Sequence, residues 1–264
     1  MNLKSRMTRP AFFMGMVWTF LLLTRMPSAD AFDHTHAALA EVLQTHVSVD
    51  GRVDYAALNQ NPQKLLEYLD AAAAIDEAAF RTWDKKQQIA YLINLYNAQT
   101  IQLILEHYPV QSIRDIGSLF MGPWDQEVVP LFGRRVSLDY VEHVILRKQY
   151  REPRIHFALV CAAKGCPPLR REPYTAGNLE AQLEDQGRLF LATPQKNRVD
   201  TDKKIVYLSP IFKWFRKDFQ AQHENILDFI KPYLPADAVA AIAAEKYDVK
   251  YTDYDWTLNG SGAG

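Results

Sequence analysis

The stretch IAYLINLYNAQTIQLIL, residues 89–105, decides the fold, because apolar side chains occur on almost every side of the helix that it predicts. A helix that is apolar nearly all round lies in the interior of a protein. Thr82 is the predicted N-cap, and Pro109 is expected to end the helix after His107. The sequence therefore predicts one long, buried helix.

Two asparagines, Asn94 and Asn97, interrupt this helix three residues apart and therefore on one side. A buried amide without hydrogen-bond partners costs about 1–3 kcal/mol. The pair is thus either an interior network that ties neighbouring backbone or the polar floor of a pocket. In the second case both asparagines would contact a substrate, and Arg170 is a further candidate for that role.

The rest of the chain predicts more helices than strands. Helices are predicted over 36–47, from Pro62 through Leu69, and over 137–147, 178–192, 210–219, 225–234 and 236–246. Strands are predicted over 154–160, 204–208 and 249–256, with a short hairpin over 127–136. The fold class is α+β, a single mainly helical domain over 32–259 with a small antiparallel sheet. Residues 260–264 are predicted to be a disordered tail.

The N-terminal 31 residues have the order of a cleavable signal peptide. Lys4, Arg6 and Arg9 are followed by an uncharged, largely apolar run over 11–23 and then by Ala29-Asp30-Ala31. The apolar run is shorter than the about 20 residues that a membrane-spanning helix needs. We therefore expect export to the periplasm or the medium and no stable membrane span after cleavage.

The charge of the remaining chain argues against nucleic acid as a partner. Residues 1–31 contain four of the 30 basic residues and one of the 31 acidic ones, so the mature chain has a net charge of −4. Nucleic-acid-binding domains are usually basic. The partner is therefore expected to be a small molecule or a peptide.

The densest group of reactive side chains lies between residues 142 and 166. Nucleophilic cysteine catalysis needs a thiolate, an imidazole base and a third group that orients the base. Cys161 or Cys166 could be the nucleophile, His143 or His156 the base, and Glu142 or one of the two asparagines the orienting group. On a straight strand, however, His156 and Cys161 would point to opposite faces.

Structural roles compete with this chemistry. Cys161 and Cys166 could form a disulfide or be buried thiols, and the C-x4-C spacing differs from that of redox proteins. No cofactor is expected, and the residue spacings do not form a zinc site. Cleavage after Ala31 would expose Phe32-Asp33-His34, an N-terminus able to chelate Cu(II) or Ni(II).

Five stretches together resemble the family called domain of unknown function 547. They are DGRVDY at 50–55, YLINLYNA at 91–98, SLDYVEHVILR at 137–147, HFALVC at 156–161 with Cys166-Pro167, and YDWTLN at 254–259. The resemblance implies an exported bacterial member of a family without an assigned activity. Some relatives carry serine at the position of Cys166, which favours Cys161 as the important thiol. The order of elements is also loosely similar to papain-like and transglutaminase-like folds, an analogy of fold only.

Two functions remain open from the sequence. The first is a thiol-dependent hydrolase or acyl-transferase with Cys161 as nucleophile and Cys166 as the second choice. The second is a periplasmic binding module without enzymatic activity, in which Asn94, Asn97 and the Glu142-His143 helix line a pocket for a small ligand or a peptide.

Overall fold

The computed structural model describes residues 32–118 and 121–261, and a compact unit begins at Phe32. The predicted signal peptide, residues 1–31, lies outside the described residues. Helices dominate and the sheets are small, so the predicted α+β class is confirmed. Within the described ranges, no helix combines the length and the hydropathy needed to cross a membrane.

The first half of the described chain is helical. Its helices are α1 (Ala37–His46), α2 (Tyr55–Gln60), α3 (Gln63–Ala73), α4 (Glu77–Thr82), α5 (Lys85–His107) and a short 3-10 helix at Ile113–Asp115.

The second half begins with the predicted hairpin, β1 (Val129–Leu131) and β2 (Arg134–Val136). A π-helix at Tyr140–Tyr150 follows, and then α6 (Ile155–Ala158) and α7 (Leu179–Leu191). The remaining elements are β3 (Arg198–Asp200), β4 (Ile205–Leu208), α8 (Ile211–Trp214), α9 (Arg216–Phe219), α10 (Ile226–Ile230), a 3-10 helix at Lys231–Tyr233, α11 (Ala236–Ala244) and β5 (Asp248–Tyr251).

The three-stranded sheet is mixed rather than purely antiparallel. β4 pairs antiparallel with β3 and parallel with β5. Parallel pairing needs a long crossover, and the helices α8 to α11 supply it between β4 and β5.

The long helix α5 is buried as predicted, but it begins later than expected. Asp84 is its N-cap: the Asp84 carboxylate accepts a hydrogen bond from the Gln87 N–H at 2.8 Å, and the Gln87 side chain accepts one from the Asp84 N–H at 3.0 Å. This reciprocal capping box satisfies two N–H groups at once. Thr82 instead ends α4, where its hydroxyl donates to the Ala79 carbonyl.

Asn94 and Asn97 form an interior network that holds neighbouring backbone. This is the first of the two alternatives, and neither residue is the floor of a pocket in this arrangement. Asn94 donates to the Tyr174 carbonyl at 2.7 Å and accepts from the Tyr174 N–H at 2.9 Å. Asn97 donates to the Ala158 carbonyl at 2.9 Å and accepts from the Val160 N–H at 2.9 Å. Each amide thus pairs with backbone in the way that a neighbouring strand would.

The prediction of a strand over 154–160 is wrong. Residues Ile155–Ala158 form one helical turn, α6, after which Leu159 is extended. A short apolar run has the same hydrophobic pattern in a buried strand and in a buried helical turn. Here Asn97 binds the backbone that follows the turn, so the segment needs no partner strand.

Two hydrophobic clusters meet at α6. The first is built around α5 and includes Ile155 and Ala158, whereas the second includes Phe157. The second cluster also contains these aromatic residues: Phe190, Phe212, Phe219, Phe229, Tyr233 and Tyr247. A four-residue helix therefore contributes to both clusters and marks their boundary.

The C-terminal end is ordered further than predicted. The Ser261 N–H donates to the Val53 carbonyl at 2.9 Å, and Gly260 pairs with the same residue. The expected disorder therefore does not begin at Gly260, and residues 262–264 lie outside the described residues.

We expect Asn97→Leu to lower the free energy of unfolding by about 2–4 kcal/mol, because it leaves the buried Ala158 carbonyl and Val160 N–H without partners. Chemical denaturation measures the effect. Glu106→Ala, an exposed change on the same helix, serves as the control and should cost less than about 0.5 kcal/mol. Equal losses in the two variants would contradict this role of Asn97.

Candidate functional site

A small cavity of about 170 Å³ is lined by both candidate nucleophiles, both candidate bases and Glu142. The cavity is lined by Tyr96, Trp124, Asp139, Glu142, His143, His156, Leu159, Cys161, Cys166, Pro167, Ile211, Trp214, Phe215, Tyr254 and Trp256. The helical turn of α6 explains why His156 and Cys161 occur together here, since a straight strand would have separated them.

The two cysteines form a disulfide, one of the structural roles considered above. The Cys161 N–H donates to the Cys166 sulfur at 3.0 Å, and the Tyr254 hydroxyl lies 3.2 Å from each sulfur. A nucleophile must be a thiolate, so neither sulfur can attack a substrate while the bridge is intact.

The loop between the cysteines is held by the C-terminal stretch of the chain. The Lys164 N–H donates to the Thr257 carbonyl and the Gly165 N–H to the Asp255 carbonyl, both at 2.8 Å. Ala162 has a φ of 56°, a left-handed conformation that costs a residue with a Cβ about 1 kcal/mol. The Asn259 N–H helps to hold this conformation by donating to the Ala162 carbonyl at 3.0 Å.

The ion pair between Arg147 and Asp218 fixes the orientation of His156. Its Nε2 lies 2.8 Å from the Asp218 carboxylate, and its ring stacks on Phe215 with a centroid distance of 3.8 Å. Arg147 binds the same carboxylate with two nitrogens, at 2.6 and 3.1 Å. With Nε2–H as the donor to Asp218, the other ring nitrogen, Nδ1, faces Glu142 at 3.6 Å.

The ionised form of Asp218 is strongly favoured. Burial alone would raise its pKa, but the hydrogen bonds from His156 and Arg147 and their positive charge outweigh burial. The pKa of Asp218 is therefore well below its usual range. The carboxylate is a fixed acceptor that orients His156, the position that an orienting group has in a catalytic triad.

Glu142 is nearly buried but forms no short hydrogen bond with any residue in the described part of the chain. The residue is 8% exposed, and the Tyr96 hydroxyl lies 3.4 Å from its carboxylate. His156 and His143 approach the same carboxylate at 3.6 and 3.8 Å. These distances exceed those of charge-assisted hydrogen bonds, which are usually 2.7–2.9 Å.

The second histidine lies at the edge of the cavity. Arg147 donates to Nδ1 of His143 at 3.1 Å, and Asp139 lies 3.6 Å from Nε2. Burial raises the pKa of Asp139, the charges of Glu142 and Asp125 add to this effect, and a protonated His143 would oppose it. Glu142, His143 and Arg147 all lie on the π-helix, and π-helical segments occur frequently at functional sites.

Aromatic rings form the other side of the cavity. Tyr254 lies 4.8 Å from Trp214 and 4.6 Å from Trp256, measured between ring centroids, and Trp124 lies 5.8 Å from Trp256. Trp214 is 47% exposed, so its ring also contacts solvent. The aromatic residues of the helix predicted over 210–219 therefore divide into two groups: Phe212 and Phe219 are buried, whereas Trp214 and Phe215 line the cavity.

The three residues predicted to contact substrate lie elsewhere. Asn94 and Asn97 do not line the cavity. Their amide groups are instead hydrogen-bonded to backbone. Arg170 forms ion pairs with Glu172 and Asp185 in an open groove of about 1160 Å³. Cys166 and Pro167 line both this groove and the cavity, so the disulfide loop separates the two spaces.

The described part of the N-terminal chelate is engaged in packing and capping. Asp33 accepts hydrogen bonds from the Thr35 and Ala37 N–H groups, and the His34 ring packs against Trp83. Among the described residues, no group of three His, Cys, Asp or Glu side chains is placed to hold a metal ion. Copper binding would use the new N-terminus and stays a prediction.

Three of the five motif stretches fall within one family match. Residues 80–191 match the family described as "Protein of unknown function, DUF547". The DUF547 match contains the stretches at 91–98 and 137–147 and the cysteine loop. The stretches at 50–55 and 254–259 lie outside it but contact each other, since the Tyr55 hydroxyl donates to Asn259 at 2.8 Å.

The chain matches none of the curated proteins and none of the solved structures. The loose analogy to papain-like and transglutaminase-like folds therefore stays a prediction. The DUF547 match likewise assigns no activity, so function has to be argued from the cavity itself.

We expect Gly165→Ala to destabilise the protein by about 1–3 kcal/mol, because an added Cβ would lie 2.9 Å from the Tyr254 ring. Chemical denaturation measures the loss. Gly177→Ala is the matched control, since nothing lies within 4 Å of a Cβ at that position. A loss no larger than that of the control would contradict the packing of Tyr254 on the disulfide loop.

Proposed function

We propose that the protein is a binding module whose cavity accepts a small ligand or one side chain of a peptide. The observation that carries this proposal is the cavity itself, which is lined by aromatic rings together with carboxylates and histidines. Such a mixture of apolar walls and a few placed polar groups is typical of ligand sites. The disulfide supports binding rather than thiol catalysis, because the bridged form has no thiolate.

The size of the cavity limits what it can enclose. Drug-sized ligands usually occupy about 300–1,000 Å³, and this cavity has about 170 Å³. It therefore fits a compact molecule or the end of a longer one. The exposed ring of Trp214 would contact the part of a longer ligand that extends outward.

We expect a ligand of the cavity to raise the melting temperature of the wild-type protein and of the Cys161→Ser/Cys166→Ser double variant. In the Trp214→Ala variant, about ten times more ligand should be needed for the same rise in melting temperature, because the substitution removes part of the cavity wall. Leu189→Ala is the matched control, since Leu189 is 48% exposed and does not line the cavity. Thermal shifts with a library of compact polar compounds and peptides measure the effect. Equal shifts in the wild-type protein and in Trp214→Ala would contradict the proposal.

Thiol-dependent hydrolysis or acyl transfer is the second candidate. Cys161 would be the nucleophile and His156 the base, and the contact between His156 and Asp218 favours Asp218 over Glu142 as the orienting residue. The reaction would require reduction of the bridge. The presence of Cys161 and His156 in one cavity supports it.

A reduced sample distinguishes the two candidates. If the thiol hypothesis is correct, Cys161 should be alkylated rapidly below neutral pH after mild reduction. The His156→Gln substitution should then slow this alkylation about tenfold or more. His107→Gln, a change at an exposed histidine, is the control. Slow alkylation of Cys161 that is independent of His156 would eliminate the thiol candidate.

We further propose that the protein is exported from a bacterial cell, to the periplasm or the medium. The order of charged, apolar and small residues over 1–31 supports export. The disulfide also supports it, because such bridges persist in oxidising compartments. The intact mass of the natively produced protein should correspond to a chain that starts at Phe32 with both cysteines oxidised. A mass that includes residues 1–31 would contradict cleavage.

A further inference from the structure

The charge of the cavity restricts its ligand. Two carboxylates, Asp139 and Glu142, line the cavity, and none of the described residues that line it is a lysine or an arginine. The nearby guanidinium of Arg147 is already bound by the Asp218 carboxylate, so this pair contributes little net charge. The interior is therefore negative.

The histidines do not cancel this charge. Because the Arg147 guanidinium can only donate, Nδ1 of His143 is the acceptor in this contact and carries no proton in it. His156 donates from Nε2 to Asp218. Even a second proton on Nδ1 of His156 would balance only one of the two lining carboxylates.

Among the described residues, none provides Glu142 with a close cationic partner. Its side chain is 11% exposed, and its contacts with Tyr96, His143 and His156 are between 3.4 and 3.8 Å long. A buried carboxylate is costly unless it is paired or closely hydrogen-bonded. A positively charged ligand would supply the missing partner.

The aromatic wall favours the same kind of ligand. Trp124, Trp214, Tyr254 and Trp256 surround one side of the cavity. The faces of tryptophan and tyrosine rings attract cations, and aromatic cages of this composition hold ammonium groups. Carboxylates and aromatic rings that line the same cavity thus complement a single compact positive charge.

We infer that the cavity binds a compact organic ammonium ion, either free or at the end of a longer molecule. The inference rests on the proposed binding function and names its ligand class. Glu142 would contact the positive charge, and Trp214, Tyr254 and Trp256 would enclose the carbon atoms attached to the nitrogen.

Isothermal titration of the oxidised protein with paired probes tests this assignment. The probes are choline and n-butylamine, each compared with a neutral compound in which carbon replaces the nitrogen. We expect at least one cation to bind about tenfold or more tightly than its neutral counterpart. Absence of binding by both cations, or equal binding of the neutral compounds, would overturn the inference.

Two variants locate the effect. Glu142→Gln should reduce the preference for the cation over its neutral counterpart about tenfold, whereas Glu41→Gln, at a side chain that is 60% exposed, should leave it unchanged. Trp214→Ala should weaken cation binding even if Glu142→Gln fails to fold. Cation binding that is unaffected by both Glu142→Gln and Trp214→Ala would overturn the assignment to this cavity.

The inference and the proposed function can fail separately. If an uncharged ligand stabilises the protein in a manner that depends on Trp214, while neither cation binds, the ammonium assignment is wrong and the binding function stands. If no ligand effect depends on Trp214, both are wrong.

Discussion

The candidate site depends on one side-chain amide, that of Asn97. Its two hydrogen bonds hold the backbone at Ala158 and Val160 as a neighbouring strand would, although no strand is there. Because the backbone is held in this way, the chain can make one helical turn and then extend toward Cys161. His156 and the cysteine loop consequently line the same cavity, and the buried helix α5 acts as the scaffold of the site.

The cavity lies where two hydrophobic clusters meet. In this position it is lined both by ionisable side chains and by aromatic rings. The π-helix supplies Glu142 and His143, and α6 supplies His156. Aromatic rings come from α8 and from the stretch 254–256. Tyr254 packs against both clusters and also contacts both sulfurs of the disulfide. The cavity, the disulfide loop and the packing of the C-terminal stretch are therefore physically connected.

The sequence predicted local features well and long-range contacts poorly. Buried helix α5 follows from its composition, and the need for partners follows from the cost of burying Asn94 and Asn97. Asp218 had no recognisable signal, because an acidic residue in an amphipathic segment usually faces solvent and only the tertiary fold brings it to His156. The place of Trp214 at the cavity had no signal either, because helical spacing does not show that the helix predicted over 210–219 is interrupted at Phe215 between α8 and α9.

The most direct measurement is a heteronuclear NMR titration of the tryptophan indole N–H signals with choline. Of the four tryptophans from Phe32 onward, three line the cavity, and Trp83 packs instead against Phe32 and His34. The account predicts that the signals of Trp124, Trp214 and Trp256 shift together with one dissociation constant while Trp83 stays in place. Absence of shifts, or shifts of Trp83 as large as those of the other three, would contradict it.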